Sequence, residues 1–229
     1  MGCRIVEMSQ DPRKEQFAYF HSLANPYVGV TVELDVTELA AWSGQTGTSF
    51  FLAVLYAAVR AANSVPELRR RIRGEQVVEY DCCPSSHTVA LPDGTYCYCR
   101  LWADAPFAEF LPYASAEQER AKYAPSLEEG DAESPFFLSC VPWFSYTALT
   151  QPTPSPADSN PRITWGRYQK RGDRLLLPVT LLATPVLLLF ADVLGRLLVP
   201  GELRVSVVSA FIGAPVLIFL VRRKRGGGA

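Results

Sequence analysis

The chain has 229 residues, 48% of them hydrophobic, so it can bury the core of one globular domain with an appendage, whereas two full domains would be crowded. Its 22 basic and 23 acidic residues give a formal net charge of -1, which argues against a general nucleic-acid-binding surface. The opening residues, MGCRIVEMSQDPRKEQF, lack the apolar stretch of a secretory signal, so we expect the N-terminal domain to fold in the cytoplasm.

Strand and helix patterns follow one another along the chain. Residues 28–36 carry valine or leucine at every second position, which is typical of a half-buried strand. Residues 49–63 place apolar side chains on one helical face, an Asp-Gly turn at 93–94 predicts a hairpin, and residues 107–124 predict a second amphipathic helix. The prolines and serines of residues 150–161 indicate a long surface connection. This order predicts an α/β fold with a mixed or antiparallel sheet covered by helices.

The cysteines are spaced for packing rather than for metal binding. None of the six forms a CxxC pair, and Cys97 and Cys99 alternate as residues on one face of a strand do. Free cysteine behaves as a small buried hydrophobe. We therefore expect no metal site and a reducing compartment.

Four stretches resemble the chloramphenicol acetyltransferase family and occur in the family's order. They are DPRKEQFAYF, NPYVGVTVELDVT, SFFLAVLYAAVRAANSVPELRRRIRGEQVVEYD, and SCVPWFSYTAL followed by PRITWGRYQKRGDRLLLPV. The resemblance implies a two-layer α/β sandwich over residues 1–179, truncated relative to the family. It also implies a homotrimer that transfers the acetyl group of acetyl-CoA to a hydroxyl of chloramphenicol, with each active site lying between two subunits.

The resemblance also implies roles for individual residues. Ser145 matches the serine that stabilises the oxyanion, and Thr164 matches a threonine that places substrate and water. Tyr27 and Phe136 match aromatics of the pocket wall, and Arg13 matches an arginine that supports the site. The alternative interpretation is structural, because serine and threonine are common in sheets and an aromatic beside a strand is more often core.

The family's catalytic motif, His-His-x-x-x-Asp-Gly, is absent. Its paired histidines fall on Thr184 and Pro185, and its Asp-Gly pair falls on Leu189 and Phe190. Because the motif aspartate pairs with the arginine matched by Arg13, that side chain loses its expected partner and is otherwise an exposed charge at a helix start.

The sequence therefore provides no catalytic base. Proline cannot accept a proton, and the two remaining imidazoles, His21 and His87, lie where the family has no catalytic group. Loss of a general base lowers a rate by about a hundred- to ten-thousand-fold. We expect the chain to acetylate poorly or not at all.

Residues 180–229 form a markedly apolar tail. Residues 203–221 approach the length that crosses a bilayer, with only Arg204 charged near their edge, and four basic residues at 222–225 favour a cytoplasmic C-terminus. The pattern predicts a hydrophobic helical tail with a transmembrane helix at 203–221 and inner-membrane association. The alternative is that LLLPVTLLATPVLLLF is a buried core strand and the last apolar run is a core helix.

The tail resembles the C-terminal end of permease subunits of iron-siderophore ABC importers, the FecCD-like type. The resemblance rests on LLP, ADVLGR, PGEL and GAP, followed by RR. About fifty residues cannot form a transport path. Two hypotheses follow: a truncated acetyltransferase joined near 176–179 to a permease end, or an integral membrane protein with a soluble N-terminal extension.

Overall fold

The computed structural model describes residues 2–127, 130–143 and 145–184. The helix predicted at 203–221 and most of the predicted tail lie outside these residues. The helices of the described part are α1 (Lys14–His21), α2 (Thr37–Thr46), α3 (Phe50–Asn63) and α4 (Phe107–Tyr123), with short 3-10 helices at Met8–Gln10 and Pro66–Arg69. Its strands are β1 (Cys3–Val6), β2 (Val28–Asp35), β3 (Arg70–Arg73), β4 (Gln76–Tyr80), β5 (Ser85–Ala90), β6 (Tyr96–Leu101), β7 (Phe136–Val141), β8 (Arg162–Gly166), β9 (Gln169–Arg171) and β10 (Arg174–Ala183).

These strands form two sheets. The main sheet has the order β2-β10-β8-β7-β5-β6, with β9 beside β10, and a small sheet has the order β1-β4-β3. Strand β7 runs parallel to β5 and β8, whereas the other pairs are antiparallel. The predicted α/β class with a mixed sheet is therefore confirmed.

Helices α3 and α4 cover one face of the main sheet. The Oγ of Ser49 accepts a hydrogen bond from the backbone N–H of Leu52 at 3.3 Å, which caps the start of α3. The ring of Phe51 lies 5.4 Å from that of Trp165 on β8, and Leu55 and Val59 are fully buried. The apolar face that was predicted from residues 49–63 thus packs on the sheet.

Strand β10 is central to the main sheet and extends beyond the predicted domain boundary. Thr180 to Ala183 pair with β2, and Thr180 to Leu182 also pair with β8. The expectation of a helical tail from residue 180 is therefore wrong for these residues, where the alternative of a core strand holds. A short continuous apolar run is compatible with a strand buried between two neighbours as well as with a helix, so its periodicity does not separate the two.

Strand β2 is an edge strand of the main sheet. The side chains of Val30, Val32 and Leu34 are 54%, 47% and 48% exposed, so the face that was predicted to be buried is about half open in the described part of the chain. The alternation identified the strand correctly. The alternation does not show what covers each face of the strand. Helices α3 and α4 contact β5, β6 and β7 rather than β2.

Residue contacts divide the chain into a unit of residues 1–186 and a unit of residues 187–229, the second of which lies outside the described residues. Among the helices of the described part, none has both the length and the apolar character needed to cross a bilayer.

Candidate functional site

A row of hydroxyl side chains crosses the middle of the main sheet. Thr180 of β10 lies opposite both Thr31 of β2 and Thr164 of β8. Thr164 in turn lies opposite Ser139 of β7. Opposed residues of neighbouring strands point to the same face, and the Oγ1 atoms of Thr31 and Thr180 are 2.8 Å apart. Since Trp165 contacts α3 on one face, the adjacent Thr164 points to the other, which therefore has a polar centre.

Two cavities lie over this row. The larger has a volume of 570 Å³, and its lining includes Thr88, Tyr98, Phe137, Ser139, Arg162 and Thr164. The smaller has a volume of 300 Å³, and its lining includes Tyr27, Thr31 and Thr180. Both are also lined by Leu149, Thr150 and Gln151, so this part of the β7–β8 connection borders the two.

Thr164 is fully buried and lines the larger cavity. Its Oγ1 accepts a hydrogen bond from the side-chain amide of Gln151. The resemblance gives a substrate-binding role to Thr164, Tyr27 and Phe136. Among these, Thr164 has the position that best fits such a role.

Tyr27 belongs to a network that links β2, β8 and the connection between β7 and β8. Its hydroxyl donates to the backbone carbonyl or the Oδ1 atom of Asp158, each at 3.0 Å. Arg162 donates to the two carboxylate oxygens of Asp158 at 2.7 and 2.6 Å. Burial, followed by the charge of Asp158, raises the pKa of Tyr27 to about 12, so its hydroxyl stays a neutral donor at physiological pH.

Ser145 is exposed and is not among the lining residues of these two cavities. Its neighbour Tyr146 packs against β8 at Gly166, where a Cβ atom would lie 2.7 Å from Cε1 of Tyr146 and 3.1 Å from Cγ of Pro178. The absence of a side chain at residue 166 therefore permits the approach of the segment that carries Ser145.

We expect Gly166→Ala to lower the free energy of unfolding by about 1–3 kcal/mol, because a methyl group is forced into an occupied space. Urea denaturation of the purified chain measures this. The matched control is Gly44→Ala in α2, where nothing lies within 4 Å of the added Cβ, and this change should stabilise slightly. Equal effects of the two substitutions would contradict the proposed packing.

Phe136 and Phe137 occupy opposite faces of β7. Phe136 is fully buried in the core, with the guanidinium carbon of Arg71 5.5 Å from its ring centroid. Phe137 lines the larger cavity instead. Phe136, which was expected in the pocket wall, therefore lies in the core, and its neighbour Phe137 is the one that borders this cavity, because successive side chains of a strand point to opposite faces.

Arg13 stands at the start of α1 and has a local partner. Its backbone N–H donates to Oδ1 of Asp11 at 2.9 Å, and its Nε lies 3.4 Å from the same atom. Its side chain is 20% exposed, so it is less open than the alternative interpretation of an exposed charge implies.

Neither histidine forms a hydrogen bond with Ser145 within the described residues. His21 is exposed, stacks on Phe17 at 5.7 Å, and lines a further cavity of 770 Å³ together with Thr184. His87 is buried and also lines the 570 Å³ cavity, with its ring 5.3 Å from that of Phe51 and its Nε2 3.0 Å from the amide nitrogen of Gln118.

His87 gives the fold a pH dependence. Burial lowers the pKa of its imidazole from 6.5 to about 4, so the unfolded chain binds the proton more tightly than the folded one. Stability is fully present above pH 6.5 and decreases as the pH falls towards 4, by up to about 3 kcal/mol. Urea denaturation across this range should show the slope, which His87→Phe should remove and His21→Phe should keep. An unchanged slope in His87→Phe would contradict the assignment.

The residues that sequence reasoning missed are Asp158, Arg162 and Gln151. Arg162 stands two residues before Thr164 in a strand, a spacing that puts both side chains on one face and could have indicated it. Asp158 and Gln151 lie in the irregular connection, where no periodicity predicts which side chains turn inward. No group of three or more His, Cys, Asp or Glu side chains that could hold a metal ion occurs within the described ranges.

Solved structures identify the class of fold. The chain matches a chloramphenicol acetyltransferase structure with a TM-score of 0.68 at 25% identity, covering 81% of this chain and 91% of that one. It matches a dihydrolipoamide acetyltransferase from Azotobacter vinelandii with a TM-score of 0.56 at 17% identity, covering 80% and 86% of the two chains. The fold is therefore the one that these acetyltransferases share.

Sequence comparison identifies the family. The chloramphenicol acetyltransferase profile matches residues 1–185. A chloramphenicol acetyltransferase from Escherichia coli is 30% identical over 186 residues, which cover 79% of this chain and 84% of the relative. One from Proteus mirabilis is 28% identical over 190 residues, covering 79% and 85% of the two chains. The chain belongs to the chloramphenicol acetyltransferase family.

The end of the chain matches a different family. The profile of the FecCD transport family matches residues 166–223. The ferric enterobactin transport system permease protein FepD of Escherichia coli is 84% identical over 56 residues, which are 24% of this chain and only 17% of the permease. Both resemblances read from the sequence are thus confirmed, and the two profile matches overlap around the predicted junction at 176–179.

Proposed function

We propose that the chain binds acetyl-CoA and a chloramphenicol-like alcohol but acetylates that alcohol weakly or not at all. The observation that carries this proposal is the position of Thr164, buried on the hydroxyl row and lining a cavity of 570 Å³. Small-molecule sites typically have volumes of about 300–1,000 Å³. Family membership supports acetyl-CoA as the co-substrate and a homotrimer as the assembly.

The proposed loss of turnover follows from proton transfer. A hydroxyl attacks a thioester well only when a base accepts its proton, and the positions matched to the paired histidines hold Thr184 and Pro185. Tyr27 does not replace the base, because its raised pKa keeps it protonated. His87 borders the 570 Å³ cavity, but its ring packs on Phe51 of α3 and its Nε2 lies 3.0 Å from the side-chain amide of Gln118 of α4. Burial lowers the pKa of its imidazole to about 4, so it is a weak proton acceptor.

Calorimetry and an acetyl-CoA thiol-release assay, both with chloramphenicol and the purified full chain, test this proposal. We expect measurable binding together with a release rate about a hundred- to ten-thousand-fold below that of the Escherichia coli relative. A rate near that of the relative would contradict the loss of turnover. Absence of binding would contradict the acceptor site itself.

The permease segment supports a second candidate function, a membrane-anchored protein that carries the end of an importer permease. The supporting observation is the 84% identity to FepD over 56 residues. In this case the chain should stay in the membrane pellet after a carbonate wash, beside soluble and integral marker proteins. Release into the soluble fraction would contradict anchoring. It would leave the acetyltransferase proposal unaffected.

A further inference from the structure

Arg162 is a buried charge in the wall of the proposed acceptor cavity. Its side chain is 9% exposed, and it lines the 570 Å³ cavity on the same face as Thr164. Burial lowers the pKa of its guanidinium, but hydrogen bonds to Asp158 and the charge of that carboxylate more than offset this and raise it. Arg162 therefore stays charged at every pH at which the protein is folded.

The guanidinium is held in a fixed orientation. Asp158 binds it in a fork at 2.7 and 2.6 Å, and the carbonyl of Asn160 accepts from Nη1 at 3.1 Å. Its central carbon lies 5.7 Å from the ring centroid of Tyr27 and 5.3 Å from that of Phe137. A guanidinium has five N–H groups. Three of them are used by Asp158 and Asn160, so a donor remains for a ligand even if Tyr27 accepts another.

Stability alone does not account for this arrangement. Taking two charges out of water often costs more free energy than their attraction returns. A protein with an apolar pair of similar volume in their place is frequently as stable. The pair of Arg162 and Asp158 has no net charge, so its donors suit a neutral group with acceptor oxygens. A carboxylate on the ligand would also meet the charge of Asp158.

We propose that Arg162 is a specificity-determining residue whose remaining N–H donates to an acceptor oxygen of a neutral group, such as a nitro group, on an alcohol bound in the cavity. This inference rests on the proposed acceptor site. Asp158 occupies the fork of Nη1 and Nη2, and this fixes the direction of the remaining N–H in a way that an ammonium group would not.

Calorimetric titration of the full chain with chloramphenicol, with its counterpart lacking the nitro group and with a carboxylate counterpart tests this role. We expect chloramphenicol to bind about tenfold more tightly than the counterpart without the nitro group, as for one hydrogen bond to a charged donor. The carboxylate counterpart should gain nothing. Changing Arg162→Met and Asp158→Asn together should abolish the tenfold preference without leaving an unpaired charge.

The matched control changes Arg171→Met and Glu33→Gln, an ion pair of similar length at 2.9 Å whose side chains are 52% and 42% exposed. This control should keep the preference. Arg162→Lys preserves the charge but removes the fork, so this variant should also lose the preference for the nitro compound. If circular dichroism shows that the double variant is unfolded, the Arg162→Lys variant tests the role of Arg162 in its place.

Two results would overturn the role of Arg162 while leaving the acceptor site in place. They are equal binding of the nitro compound and its counterpart by the unaltered chain, or a preference that persists without the Arg162 fork. If the unaltered chain binds none of the three compounds, the acceptor site is wrong, and the role of Arg162 falls with it.

Discussion

Replacing Thr184 and Pro185 together by histidine should raise the rate of acetyl-CoA thiol release with chloramphenicol by at least about 100-fold, the lower range for restoring a general base. Thr184 follows the last residue of β10, is 4% exposed, and lines the 770 Å³ cavity together with Tyr27. A side chain at this position is therefore held at the end of a central strand, beside the residues of the candidate site.

The control for this gain is the change of the same two residues to glutamine. Glutamine offers hydrogen-bonding atoms of similar reach but does not accept a proton at neutral pH, so the rate should stay at background. The gain should fall as the pH drops through the range in which imidazole is protonated. A double-histidine chain that binds chloramphenicol without releasing thiol would contradict the view that only the base is missing.

A large loss of stability is expected from replacing Arg71, whose side chain links the small sheet to the residues just before β7. Its side chain is fully buried and donates to the carbonyls of Leu68, Arg70, Glu133, Ser134 and Pro135 at 2.7–3.3 Å. Burial lowers the pKa of its guanidinium. Arg71→Met would remove this donor from all five carbonyls, of which those of Glu133 and Pro135 still accept from the side-chain amide of Asn160. We expect a cost of about 3–5 kcal/mol in the free energy of unfolding.

Urea denaturation measures this loss, with Arg4→Met as the control. Arg4 also bears a guanidinium on the small sheet, but its side chain is 72% exposed and its partner Glu79 is also bound by Arg70. We expect Arg4→Met to cost less than about 1 kcal/mol. A similar cost for the two substitutions would show that the carbonyl cluster around Arg71 does not stabilise the fold.

Sequence patterns predicted the elements in which apolar side chains repeat on one face over many residues, and the hairpin that is marked by a specific turn. The alternation of residues 28–36, the apolar face of residues 49–63 and the Asp-Gly turn correspond to β2, α3 and the β5–β6 hairpin, where Gly94 has a φ of 85°. Helix α2 was missed, because its ten residues hold few apolar side chains in a helical spacing and none of them is buried.

The sequence failed to predict strand β10 and part of the candidate site, and the two failures have different physical causes. Residues 175–183 are apolar apart from Thr180, and they lie between β2 on one side and β8 and β9 on the other. Such a run has no period that separates strand from helix. In the site, resemblance located Thr164 and Tyr27, but the Asp158–Arg162 pair depends on how an irregular connection folds back on the sheet. Phe136 and Phe137 are neighbours in β7, but Phe136 lies in the core and Phe137 in the cavity wall, so a comparison that is shifted by one residue selects the wrong face of the strand.

An acceptor site that binds chloramphenicol without acetylating it can be recognised in a single-turnover experiment. The full chain, in excess over chloramphenicol and saturated with acetyl-CoA, is quenched over time, and the antibiotic is examined by mass spectrometry. We predict that the bound antibiotic is recovered without an acetyl group over times in which the Escherichia coli relative converts all of it. Recovery of the acetyl ester at the rate of that relative would contradict it.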